Sequence, residues 1–282
     1  MRRAHAVAAV GLLALVLGLS DSARAQLPLT SPKSSGQSVT PAYEGWYRNP
    51  DGTFTLSFGY YNRNASEVVE IPIGKNNFIS PGPENQGQPN EFQPRRHWGV
   101  FGVVVPADFG KKEVVWTLTF RDMTFAIPGS LHPNWQIDAL EGEAGSGNTP
   151  PAVRFGDTGP EGRGPLGITS GPISAKARTP LTLTVWARDD GKGATSVASG
   201  GRGTPAPVTL AWFKHQGPTG RVMFQPGTGR VTSVGGQSST QATFDAPGDY
   251  VIRVRANDSS VAGAGHAQCC WTNGFVKVTV SR

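Results

Sequence analysis

The chain has 282 residues but only 2 cysteines, adjacent at Cys269 and Cys270, so no long-range disulfide framework holds it together. Charge is also scarce. Asp, Glu, Lys and Arg make up 16% of residues, too few for a coiled coil or helical bundle. Long hydrophobic runs are absent: Val7 to Leu19 is the longest, short of the roughly 20 residues that cross a bilayer. Catalytic signatures are missing too. There is no Gly-x-Ser-x-Gly elbow, His-Glu-x-x-His pair, Walker loop or dinucleotide fingerprint. The 5 histidines fall in no triad or ligand spacing, and the expectation is a protein that is not an enzyme. Paired carboxylates can still meet in space from distant positions, so glycoside hydrolysis stays open.

What is abundant is turn-forming and aromatic. The 37 Gly and 23 Pro predict many turns, while 13 Phe, 7 Trp and 5 Tyr are too many for a disordered chain. Residues 1–25 read as a cleaved signal peptide: Arg2 and Arg3, an apolar stretch, then Ala23-Arg24-Ala25. Export to the periplasm or the extracellular space follows. Removing Arg2, Arg3, Arg24 and Asp21 lowers the net charge from +6 to +4, with 23 basic and 19 acidic residues left. Those bases are scattered, which argues against nucleic acid. No later segment is apolar enough to span a membrane, and oligomeric state is not legible.

Residues 26–41 read as a flexible N-terminal arm and 42–140 as a sandwich-like β domain. Phe54, Leu56, Phe58 and Tyr60 alternate with Thr55, Ser57 and Gly59, a strand with one face buried. Residues 98–105 read as a strand buried on both faces, and Gly74 to His97 as a long mobile or functional loop. The stretch 141–172 is a Gly/Pro-rich linker, and 173–282 a second β domain with strands around Leu183, Leu210, Ile252 and Val278. The fold class is all-β, two antiparallel sandwiches.

The segment from Ala242 to Asp258 contains Phe244, Pro247-Gly248-Asp249-Tyr250, and an alternating strand ending in Asp258. It resembles the penultimate strand of PKD and related immunoglobulin-like domains, a likeness covering about 170–282. The resemblance implies a sandwich fold, with Gly274 to Val280 as closing strand and Tyr250 as a tyrosine-corner residue. As a whole the chain resembles two-part bacterial secreted proteins, a likeness that implies no particular activity.

Candidate sites are few. Cys269 and Cys270 can form a vicinal disulfide, remain thiols, bridge to another chain, or join His266 as ligands for copper or zinc. Trp271 and an Asn273-Gly274 turn would pack that loop on the sandwich end. Asp189, Asp190 and Asp258 sit at strand ends where calcium sometimes binds, although the ligand spacing is incomplete. Arg95, Arg96 and His97 suit an acidic glycan or a partner's carboxylates, or else pair with Glu84 and Glu91 to pin the loop. Tyr43, Trp46 and Tyr61 are available as a sugar-stacking platform, while Phe54, Phe58 and Tyr60 fill a core. No cofactor is required. The expected function is recognition, adhesion or a structural role at the cell surface, with a protein or glycan partner met by sandwich loops; the alternative is a periplasmic metal or redox protein built on His266, Cys269 and Cys270.

Overall fold

The computed structural model describes residues 31, 33–142, 147–192, 207–258 and 269–282. The expected signal peptide lies outside the described residues. The N-terminal half contains β1 (Val39–Arg48), β2 (Phe54–Asn62), β3 (Val69–Glu70), β4 (Asn77–Ser80), β5 (Glu91–Phe92), β6 (Arg95–Val105), β7 (Glu113–Phe120) and β8 (Met123–Ser130). Sheets β1-β2-β6 and β4-β7-β8 face one another, and β3 pairs with β5. The Asp51-Gly52 turn starts β2, with Asp51 accepting from the Thr53 amide at 3.0 Å. Leu56, Phe58, Phe101, Trp116 and Leu118 fill the core between the two large sheets. The Trp116 ring meets Phe101 edge-on at 5.0 Å. Residues 33–41 of the expected flexible arm are tied down: Ala65 donates to Lys33 O, the Gln37 amide to Asn64, and β1 begins at Val39.

The C-terminal half is an immunoglobulin-like sandwich. Its strands are β9 (Ala152–Arg154), β10 (Ile168–Lys176), β11 (Leu181–Arg188), β12 (Val208–Gln216), β13 (Val222–Gln225), β14 (Thr228–Val231), β15 (Gly236–Phe244), β16 (Gly248–Asn257) and β17 (Trp271–Ser281). A five-stranded sheet, β10-β17-β16-β12-β14, faces a four-stranded one, β13-β15-β11-β9. The opening edge is divided between the sheets, β9 joining one and β10 running parallel to β17 in the other. The stretch 141–172, expected to be a linker, thus supplies β9 and the start of β10. Val185, Leu210, Trp212, Phe244, Ile252 and Val278 are the core. Tyr250 closes its corner by donating to Ala246 O at 2.8 Å, with its ring 4.8 Å from Phe244.

Several expectations change. Asn273-Gly274 is not a turn, and Trp271 does not lie in a loop. Both are inside β17, which is held extended by β10 on one side and β16 on the other. β6 is not buried along both faces throughout, since Val104 is 49% exposed. And β2 is buried on both faces, not one: Thr55 and Ser57 are 0% exposed.

That second face is covered because Lys33–Arg282 is one unit. The outer face of β2 and β6 is made of small residues, and Gly99 and Gly102 let the C-terminal half close onto it. A Cβ on Gly99 would strike the Trp271 ring, and one on Gly102 would come within 3.5 Å of Leu166 Cα. Across this seam Asn273 Nδ2 donates to Gly99 O at 2.7 Å and Trp271 Nε1 to the same oxygen at 3.2 Å, while within the C-terminal half Asn273 Nδ2 also donates to Pro165 O at 2.7 Å. Nor is the long segment before Trp98 a mobile loop. It forms β4 and β5 and grips the end of β12. Asn90 N donates to His215 O at 2.9 Å, His215 Nε2 to Gly87 O at 2.7 Å, and Gln216 Nε2 to Gln88 O at 2.6 Å.

Candidate functional site

Where β3 and β5 meet β12 and β13, a groove of about 750 Å³ opens between the halves. Its polar wall starts from a register: Glu70 and Glu91 are directly opposed in the β3–β5 pair. Two facing carboxylates repel, and Lys214 of β12 lies between them. Its Nζ is 2.5 Å from Glu70 Oε1 and 3.1 Å from Glu91 Oε2, and donates to Gly220 O at 2.8 Å. Lys214 is 3% exposed, so its charge is held by these three oxygens. Burial pushes the Glu91 carboxyl up, while the Lys214 ammonium pulls it back down. Gln93 Nε2 donates to Glu91 Oε1 at 2.8 Å. The other wall is apolar and aromatic: Val68, Phe213, Val222 and Phe224, with Trp212 stacked 6.5 Å from Phe224. Arg221 supplies the one remaining charge, so Glu70, Glu91, Lys214 and Arg221 sum to zero.

Behind Phe213 the seam is cationic. Arg253 stacks on that ring at 4.6 Å and donates to Asn273 Oδ1 at 3.1 Å. Burial pulls Arg253 down to about 10. His97 stacks on Tyr60 at 5.0 Å and meets Phe213 edge-on at 5.8 Å. Burial, helped by Arg253, holds the His97 and His215 imidazoles down to about 3, so both are neutral near pH 7.

The sequence-selected residues fall in several separate places. Arg96 pairs with neither Glu84 nor Glu91. It reaches Glu44 across the sheet at 2.6 Å and covers the Trp98 ring at 3.8 Å. Burial pushes Glu44 up to about 7, against the pull of Arg96. Arg95 is exposed and stands 6.0 Å from the ring of Tyr61, itself 36% exposed. Tyr43 donates to Ser130 O at 2.7 Å and packs on Phe58, while Trp46 donates to His132 O at 2.8 Å and meets Phe54 edge-on. Arg95, Arg96 and His97 therefore do not converge on one ligand position, and neither do Tyr43, Trp46 and Tyr61.

At the far end of the C-terminal sandwich, Cys269 and Cys270 are joined as a disulfide. In that form neither sulfur is a thiolate for a metal. His266 lies outside the described residues. The Asn148 carbonyl oxygen is 3.4 and 3.2 Å from the two sulfurs, and Asn148 Nδ2 donates to Asp258 Oδ2 at 2.7 Å. Asp190 accepts from the Thr149 amide at 3.2 Å and from its hydroxyl at 3.1 Å. Burial, and then the charges of Asp258 and Asp190, push Asp189 up to about 6. Among the described residues no group of three His, Cys, Asp or Glu has the arrangement to hold a metal ion. No described helix is long and apolar enough to cross a membrane.

Sequence reasoning missed the groove. Its one available signal was Lys214, a charged residue continuing the inward alternation Val208, Leu210, Trp212 where an apolar side chain was due.

No family model matches the chain, and no curated protein matches it. Among solved structures, domains 4 and 5 of the S-layer protein SbsC align over 87% of this chain and 98% of theirs, at 12% identity and a TM-score of 0.26. The D00-D0 domain of intimin aligns over 86% and 100%, at 11% identity and a TM-score of 0.26. The C. elegans MSP family member WR4 covers 38% of this chain and 92% of its own, at 9% identity and a TM-score of 0.23. With scores this low, these likenesses carry no argument about function, which has to come from the chain's own geometry.

Proposed function

We propose that this is an exported, non-enzymatic recognition or adhesion protein whose fused β-sandwiches bind a neutral glycan in the groove between β5 and β12. The observation that carries the reading is the groove's lining. Half-buried Phe213 and Phe224 offer faces for the C–H side of a sugar ring, and Gln93, Glu91 and Arg221 border it with hydrogen-bonding groups. Its titratable groups sum to zero, which favours an uncharged ligand over an acidic one. Binding is favoured over hydrolysis because Lys214 holds both Glu70 and Glu91, leaving neither carboxyl free as acid or base. Export rests on the pattern of residues 1–25.

An array of neutral and acidic glycans tests this. Neutral oligosaccharides should be retained, and Phe224→Ala should weaken them about tenfold, the usual worth of one aromatic contact in a binding site. Phe224 is only partly buried at the core edge, so a melting curve checks that the variant still folds. Retention of acidic glycans alone, or binding unchanged in Phe224→Ala, contradicts the reading.

A further inference from the structure

The outer face of the five-stranded sheet carries a second feature, separate from the groove. Thr209 of β12 stands opposite both Arg230 and Asn257, Ala211 opposite both Thr228 and Arg255, and Phe213 opposite Arg253. Strand alternation therefore places Arg230, Arg253 and Arg255 on one face. Between Thr209 and Phe213 the middle residue of β12 on this face is only an alanine, Ala211. The result is a hollow of about 500 Å³ walled by Arg230 and Arg255, floored by Ala211 and edged by Thr209, Thr228 and Asn257, with no carboxylate among the described residues that line it.

Among the described residues the positive charge here lacks a counter-charge. No ion pair among the described residues reaches Arg230, Arg253 or Arg255. The Nε–H groups of both Arg253 and Arg255 are buried with no hydrogen-bond acceptor. Arg253 is 2% exposed, so water cannot screen it. His97 and His215 nearby are neutral and contribute no negative charge. Buried guanidinium groups are stable when paired with an oxyanion that accepts from their planar forks.

We propose that this hollow binds a doubly charged oxyanion of the sulfate or phosphate class, forked between Arg230 and Arg255 over the Ala211 methyl, with Arg253 adding charge from behind. Three positive charges and no acid favour a dianion over a carboxylate or a halide. The small floor residue leaves room for a tetrahedral group where Phe213, two positions on, would block it.

The test is calorimetric titration of the full chain with sodium sulfate and with inorganic phosphate, against sodium chloride at matched ionic strength. Low-millimolar concentrations keep general salting effects small. Saturable sulfate or phosphate binding is expected, weakened about tenfold in Arg230→Gln, which loses one charged fork. Ala211→Leu, which fills the hollow without changing charge, should abolish it. Arg230 is exposed, so its variant keeps the fold even if Ala211→Leu does not. Heats no larger than those of chloride, or binding unaltered in Arg230→Gln, would overturn the proposal.

Discussion

The two apolar cores and the seam between the halves bury side chains to similar depth by opposite chemistry. In the cores, Trp116 and Phe244, each 0% exposed, pack against other apolar groups. In the seam the buried groups are Arg253, His215, Lys214 and Asn273, each held by specific oxygens or rings. A core tolerates changes in pH and salt, because hydrophobic burial has no titrating partner. The seam is stable only while each polar group keeps its partner and protonation state. Four perturbations separate the two kinds of burial.

The largest effect belongs to the core. Trp116→Ala should cost about 3–5 kcal/mol of stability, read as a shift in the urea midpoint, and the cost should be the same at pH 5 as at pH 7. Lys214→Met in the seam should cost about 3 kcal/mol at neutral pH, because Glu70 and Glu91 are left opposed without a cation. Here the loss should shrink as the pH falls and those carboxylates take up protons. A pH-independent loss would mean the triad is not the cause.

The third concerns acid. His97 and His215 are held down to about 3 in the folded state, against about 6.5 unfolded. Between those values the unfolded chain binds more protons, so stability should fall as pH drops from 6.5 towards 3. Glu44, raised to about 7, and Asp189, raised to about 6, act the other way: they favour the folded state in acid, and that contribution is lost as pH rises through those values. The imidazoles are shifted further, so acid destabilisation should dominate below pH 5, and His215→Gln should make the stability–pH curve shallower. An unchanged slope in that variant would contradict the buried neutral imidazole. The smallest effect is Tyr250→Phe, which loses the bond to Ala246 O and should cost about 1 kcal/mol by thermal melting.

The same contrast explains what could be read from sequence. Core strands announced themselves through alternation: β2, β11, β12, β16 and β17 were all legible, and so was the Tyr250 corner. β15 was not, because Gly236 to Ser239 reads as a flexible spacer and only Ala242 and Phe244 are apolar. The seam was invisible for a physical reason. Thr55, Ser57, Arg253 and Arg255 occupy the alternate positions that ordinarily face water, and alternation cannot tell a solvated face from one covered by a second polar face. Asn273-Gly274 looked like a turn, although the strand needs Asn273 for its amide in the seam and Gly274 for close approach to Phe155 on the core face of the sandwich. The groove went unread because it is assembled from β3, β5, β12 and β13, whose charged residues are far apart in sequence. Of the residues chosen in advance, His97 lies in the seam, and Arg96 serves a structural ion pair.

Fusion of the halves through the polar seam is the claim on which the groove depends, and differential scanning calorimetry tests it most directly. One transition, with calorimetric and van't Hoff enthalpies equal, is expected for the wild-type chain. In Asn273→Ala, which removes the amide bonded to Gly99 O and Pro165 O, it should divide into two. Two independent transitions in the wild type would contradict the fused body.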